Sequence, residues 1–157
     1  MIGLSLAVFG ICMAVVQGGL IRIAIARLGD FYTVVLGFGF SIVAFPVLTF
    51  LQSGTLALML TPVSALAAMA GPALQAIMSK RTPDNAQGEL QGIMTSVSAL
   101  AMILAPLLMT FVFAAATKPG GEIYLPGAPF LAALALTLVA LVIFWAKKPA
   151  KAPISAE

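Results

Sequence analysis

The sequence contains no histidine, a single cysteine and very little charge: eight Lys or Arg and five Asp or Glu in 157 residues. Cys12, alone and inside an apolar run, can form neither an intramolecular disulfide nor a thiolate metal cluster. There is no G-x-S-x-G string and no cysteine pair. The carboxylates Asp30, Asp84, Glu89, Glu122 and Glu157 each belong to a turn, a helix end or the tail. Enzymatic chemistry needs an acid, a base, a nucleophile or a metal within reach of one another, so the sequence reads as a non-enzyme that calls for no cofactor and offers no metal site. A charged fraction of 8%, against about 25% in soluble domains, excludes an ordinary soluble globule. The net charge of +3 does not point to nucleic acid, because the basic residues sit singly or in pairs at the ends of apolar runs and form no stripe. Nor does the start resemble a cleavable signal, since residues 1–21 carry no charge and the first positive residue is Arg22.

What is present is apolar. With 62% hydrophobic residues and a mean hydropathy of +1.14, the chain is one that uses the lipid bilayer as solvent. A membrane span takes about 20 mostly apolar residues, and five such stretches can be read, at 2–25, 32–51, 56–79, 85–115 and 128–146. The expectation is an all-α membrane protein with five transmembrane helices over residues 1–148 and a disordered tail over 149–157. Arg22 and Arg27, Lys80 and Arg81, and Lys147, Lys148 and Lys151 fall on alternate connections, with Lys118 the exception. By the positive-inside rule those connections and the C-terminus lie in the cytoplasm and the N-terminus outside. An odd span count with an outside start suggests the tail of a longer polytopic chain, with Met1 an internal methionine or a downstream start.

Helix breakers recur at membrane depth, at Pro46, Pro62, Pro72 and Pro106, each removing a backbone donor; a static kink is the simplest reading of any one of them. Gly18, Gly19, Gly37, Gly39, Ala67, Ala68, Ala70 and Gly71 permit close helix approach. Phe31, Tyr32, Tyr124, Phe144 and Trp145 fall near span ends, as anchoring aromatics do. Thr82 reads as an N-cap with Pro83 at the first helical position. The stretch 71–92, GPALQAIMSKRTPDNAQGELQG, joins two helical segments through a charged turn. On the way in, Thr61, Ser64, Ala68, Gly71 and Gln75 fall near one stripe; on the way out Gln91, Thr95, Ser98 and Met102 do the same. Gln17, Ser41, Thr61, Ser64, Thr95 and Ser98 are candidate substrate-pathway residues. For Ser41 and Thr61 a hydrogen bond to their own helix is the favoured reading. Gln17, Gln75 and Gln91 favour a lumen or gate, because a glutamine amide facing lipid leaves donors and an acceptor unpaired.

With these residues in hand, the chain resembles the C-terminal half, helices eight to twelve, of a major facilitator superfamily transporter, most like the tetracycline:proton antiporter group of multidrug exporters. The stretch 9–30, FGICMAVVQGGLIRIAIARLGD, is similar to the family's eighth helix and following loop, through Gln17 and the ARLG string at 26–29. PALQ at 72–75 with Ser79, QGELQG at 87–92 and Pro106-Leu107-Leu108 resemble helices ten and eleven. The chain departs from the family where Phe31, Tyr32 and Thr33 follow Asp30 in place of paired arginines. It departs again at Ser41, where tetracycline exporters carry an acid, which argues against tetracycline itself as substrate.

The resemblance implies a partial six-helix C-terminal bundle in a bacterial cytoplasmic (inner) membrane. Its expected partners are the bilayer, a missing N-terminal half, a small-molecule substrate and protons, with no nucleic acid. The expected function is proton-coupled efflux of drugs or other small amphipathic molecules by alternating access. Arg22, Arg27, Asp30, Gln75, Lys80, Arg81, Glu89 and Gln91 would form the cytoplasmic gate. A carrier driven by protons usually holds a titratable group within the membrane; since none lies here, that group is expected in the missing part. Two other readings stay open: a non-transporting remnant or membrane assembly partner, and an uptake carrier of the same fold. The isolated chain is expected to be poorly stable, its polar stripes being left without partners.

Overall fold

In the computed structural model, residues 2–51, 53–118 and 124–147 are described, and they are almost wholly helical. In chain order the elements are α1 (Ile2–Val15), a π-helical turn (Val16–Leu20), α2 (Ile21–Phe50), α3 (Gly54–Ala67), α4 (Ala70–Arg81), a 3-10 turn (Asp84–Ala86), α5 (Gln87–Ala116) and α6 (Ala128–Ala146). The expected tail and the centre of the expected 117–127 loop lie outside the described residues.

Among the described residues, four apolar helical runs are long enough to cross a membrane, where the sequence reading expects five. The difference arises at Gly29. The first run, Leu6–Phe50, is 45 residues long; drawn straight it would measure roughly 67 Å, over twice the ~30 Å hydrocarbon core. Gly29, at φ 79° and ψ 165°, is the non-helical residue inside α2, in a region of backbone space essentially reserved for glycine. Phe40 packs against the buried cluster of Val16, Ile21, Ala65 and Met69, although a straight helix would hold it roughly 36 Å from Val16. The chain therefore folds back at Gly29, and α2 consists of two arms, 21–28 and 30–50. The two arms are separate helices meeting at Gly29, and the apolar stretch they share carries both of the first two expected spans.

The second arm of α2 lies between two antiparallel neighbours. On one side it meets α3 and α4, with Asp30 beside Lys80 and Gly37 so close to Ala70 that a Cβ would stand 2.7 Å from the Ala70 nitrogen. On the other it meets α6: Phe31 stacks on Phe144 with ring centroids 4.8 Å apart, and buried Gly127 abuts the Thr49 backbone. α1 packs on α3, and α5 leans on α6 with a lesser contact to α4. The buried residues are mostly small or medium, including Val34, Ala44, Ala65 and Ala73, as expected where van der Waals fit, not water exclusion, holds helices together. Neither α5 nor α6 has a buried residue.

The expected third span, 56–79, is not one continuous helix. After Ala67 the chain tightens: Ala68 N–H bonds the Ala65 carbonyl at 3.1 Å and Met69 N–H the Leu66 carbonyl at 3.2 Å, both three residues back. Pro72 explains the position, because its missing N–H would have bonded the carbonyl of residue 68, where its ring also crowds. Thr82 is not an N-cap. Its hydroxyl donates back to the Met78 carbonyl at 3.0 Å while its backbone is extended, so it closes α4, and the next helical turn begins at Asp84.

Candidate functional site

The charged turns meet at one end of the bundle. The reversal at Gly29 delivers Asp30 to the start of the second α2 arm, and basic residues at the end of α4 bring Lys80 and Arg81 to the same place. Lys80 Nζ donates to Asp30 Oδ2 at 2.5 Å across 50 residues of chain. Asp30 is 18% exposed and Lys80 62%, so the pair sits at a wet boundary and contributes about 0.2–1 kcal/mol. Asp30 Oδ1 is shut off from solvent without a protein donor, an unmet acceptor with a desolvation cost, so the Oδ2 contact with Lys80 is what orients the carboxylate. Thr33, one turn on, donates from Oγ1 to the Gly29 carbonyl at 2.8 Å and secures the reversal. A cavity of about 340 Å³ lies here, lined by Leu28, Gly29, Asp30, Phe31, Tyr32, Ile77, Lys80 and Arg81.

Gln87, which sequence reasoning passed over in favour of Gln91, holds the neighbouring connection. Its Nε2 donates to the Ser79 carbonyl at 2.9 Å and to the Thr82 carbonyl at 2.8 Å, while its Oε1 accepts from the Ser79 hydroxyl at 3.1 Å. One side chain at the start of α5 thereby bonds the Thr82 carbonyl, past the end of α4, and adds a second donor to the Ser79 carbonyl, which also accepts the Thr82 N–H at 3.2 Å. The available signal was an amide at the first position after a proline-containing turn.

The candidate pathway residues fall into two groups. Ser41, Thr61 and Ser64 donate to the carbonyls of Gly37, Ala57 and Leu60, at 3.2, 3.2 and 3.4 Å, each within its own helix. Gln17, Gln75, Gln91, Thr95 and Ser98 are exposed and carry polar groups that an apolar surrounding would leave unpaired. Gln91, Thr95 and Ser98 share one face of α5 by their three- and four-residue spacing. Gln17 lies in the π-helical turn with Gly18 and Gly19, a local widening that often accompanies function. The stripe from Thr61 to Gln75 is interrupted at Ala68–Met69 by the break between α3 and α4. Arg22, Arg27 and Glu89 are exposed; Glu89 stands in the first turn of α5, where the helix dipole favours an acid.

Long apolar helices with charge gathered in their connections define a polytopic α-helical membrane protein. Comparison with known proteins narrows this. The chain is 35% identical to the class C tetracycline resistance protein of Escherichia coli over 75% of its length and 30% of that protein's. It is 35% identical to the class E protein of Escherichia coli over 91% of its length and 34% of that protein's. The human Hippocampus abundant transcript-like protein 1 matches at 29% identity over 88% of the chain and 30% of its own length. No family model matches the chain, and no solved structure matches it. The chain belongs to the major facilitator superfamily, in the tetracycline:proton antiporter group, and it spans about a third of the length of the curated relatives it matches.

Proposed function

We propose that the chain is the C-terminal bundle of a proton-coupled exporter of small amphipathic molecules, working by alternating access against an N-terminal bundle. The observation that carries this reading is the Lys80–Asp30 contact, which ties the α2 reversal to the α4 end while the polar faces of the π turn, α4 and α5 stay open. Rigid-body rocking of one bundle against another needs such an arrangement: one end cross-braced, one face polar and available. In this reading the basic end faces the cytoplasm of a bacterial inner membrane and the gate includes Arg22, Arg27, Asp30, Gln75, Lys80, Arg81, Glu89 and Gln91. The pathway runs past Gln17, Thr95 and Ser98, with Ser41, Thr61 and Ser64 contributing only where they exchange their backbone bond for a substrate. The proton-binding group lies in the other bundle, since no span of this chain holds a carboxylate at mid-membrane depth.

The test is expression of the intact protein in a drug-sensitive host, with growth inhibition measured across a broad panel and proton movement followed in inverted vesicles. Raised resistance to at least one compound, with substrate-dependent proton release, is expected. Unchanged sensitivity across the panel with no proton signal would instead favour a non-transporting assembly partner.

A further inference from the structure

Two cavities at the α2 reversal share residues. The polar one is the 340 Å³ cavity at Asp30, Lys80 and Arg81. The other, of about 560 Å³, is almost wholly apolar and is lined by Leu28, Tyr32, Val35, Leu36, Gly39, Phe40 and Val43. Leu28 and Tyr32 line both, so a charged mouth opens onto an oily groove. Gly39 forms part of the groove, and a Cβ there would meet nothing within 4 Å. The only ion pair among the described residues consumes Lys80; Arg81, exposed at the mouth, pairs with no carboxylate among them.

From this juxtaposition we infer that the reversal is a binding site for one anionic phospholipid, its phosphate at Arg81 and one acyl chain along Tyr32, Leu36, Gly39 and Val43. Length separates a lipid from a helix as occupant. From Tyr32 to Val43 the groove follows α2 for roughly 16 Å, about half of the ~30 Å hydrocarbon core and therefore one leaflet deep. A transmembrane helix would need a groove along the whole of α2, whereas an acyl chain ends at the midplane. Charge decides the headgroup. The Lys80–Asp30 pair is neutral in sum, so Arg81 leaves the mouth net positive, and a basic pocket between helices at the membrane face selects anionic headgroups. Tyr32, half exposed, stands at the junction of mouth and groove, where an amphipathic ring suits the headgroup boundary. The inference is independent of transport.

The experiment is native mass spectrometry of the intact protein in detergent, with phosphatidylglycerol or phosphatidylcholine added at equal concentration. One molecule of phosphatidylglycerol is expected to be retained in preference to phosphatidylcholine. Arg81→Gln should lower its retention about fivefold, the worth of one basic residue near an anionic surface. Arg81→Lys should restore it, a phosphate accepting a point charge. Gly39→Leu, which fills the groove, should lower retention of both lipids and leave the phosphatidylglycerol preference in place. Equal retention of the two lipids, no lipid retained at all, or phosphatidylglycerol retention unmoved by both Arg81→Gln and Gly39→Leu would overturn the inference.

Discussion

A methyl group at residue 29 would sit on a backbone held at φ 79° and ψ 165°, a conformation that costs a residue with a Cβ on the order of 1–3 kcal/mol. Gly29→Ala is therefore expected to destabilise the bundle by that amount, read as a lowered unfolding midpoint of the intact protein in detergent. Gly37→Ala should cost a similar 1–3 kcal/mol by overpacking, for a different reason: its Cβ would meet the Ala70 nitrogen at 2.7 Å, a backbone atom that cannot swing aside. Stability and function should separate at the ion pair. A double-mutant cycle on Asp30→Asn and Lys80→Gln is expected to give a coupling of only about 0.2–1 kcal/mol, because Lys80 is mostly in solvent. If the pair braces a gate, Asp30→Asn should nevertheless depress transport severalfold. A stability loss well above 2 kcal/mol with transport intact would make the pair a structural element and nothing more.

At the scale of elements, the informative places are the junctions. Gln87 spans the α4–α5 connection with three hydrogen bonds, so the two helices are held at a fixed angle by a side chain and not by the loop alone. Gln87→Ala takes away the Gln87 donor from the Thr82 carbonyl and the Gln87 acceptor from the Ser79 hydroxyl, while the Ser79 carbonyl keeps the Thr82 N–H at 3.2 Å, at a cost of about 1–3 kcal/mol where the groups are not rehydrated. Distance distributions between spin labels on the exposed faces of α4 and α5 should broaden in that variant. A distribution unchanged from the native protein would show that the loop, not Gln87, sets the angle. The sequence made some junctions readable and hid others. The connection between the expected spans 2–25 and 32–51 is read from charged residues between two apolar runs, and the Gly29 reversal falls within it. The α3–α4 break was hidden, although Pro72 was visible, because a proline acts on the carbonyl four residues earlier and displaces the irregularity to Ala68–Met69. Gly18 and Gly19 read as a packing surface and proved to lie in a π turn, a choice of hydrogen-bond register that composition does not encode.

For the whole molecule, hydropathy sufficed to give an all-helical membrane protein, since long apolar runs admit few alternatives in lipid. The count of runs depends on the reversal at Gly29, whose non-helical torsions separate two arms of one apolar stretch. The candidate site was legible in parts. Asp30 and Lys80, 50 positions apart, could be assigned to one end by charge alone, and the structure joins them. Gln87 was missed because its partners are backbone carbonyls, which every residue carries. α5 has no buried residue, as expected of a bundle that pairs with a second one, and in the proposed exporter Gln91, Thr95 and Ser98 would turn toward the cavity between them.

Cysteine scanning of the intact protein, with Cys12 replaced, examines that placement at its source. Water-soluble thiol reagents should label residues 17, 91, 95 and 98, and an exported compound should protect at least one of them. Labelling confined to none of these positions, in the resting protein and under a proton gradient alike, would contradict an aqueous pathway along α5 and the exporter built upon it.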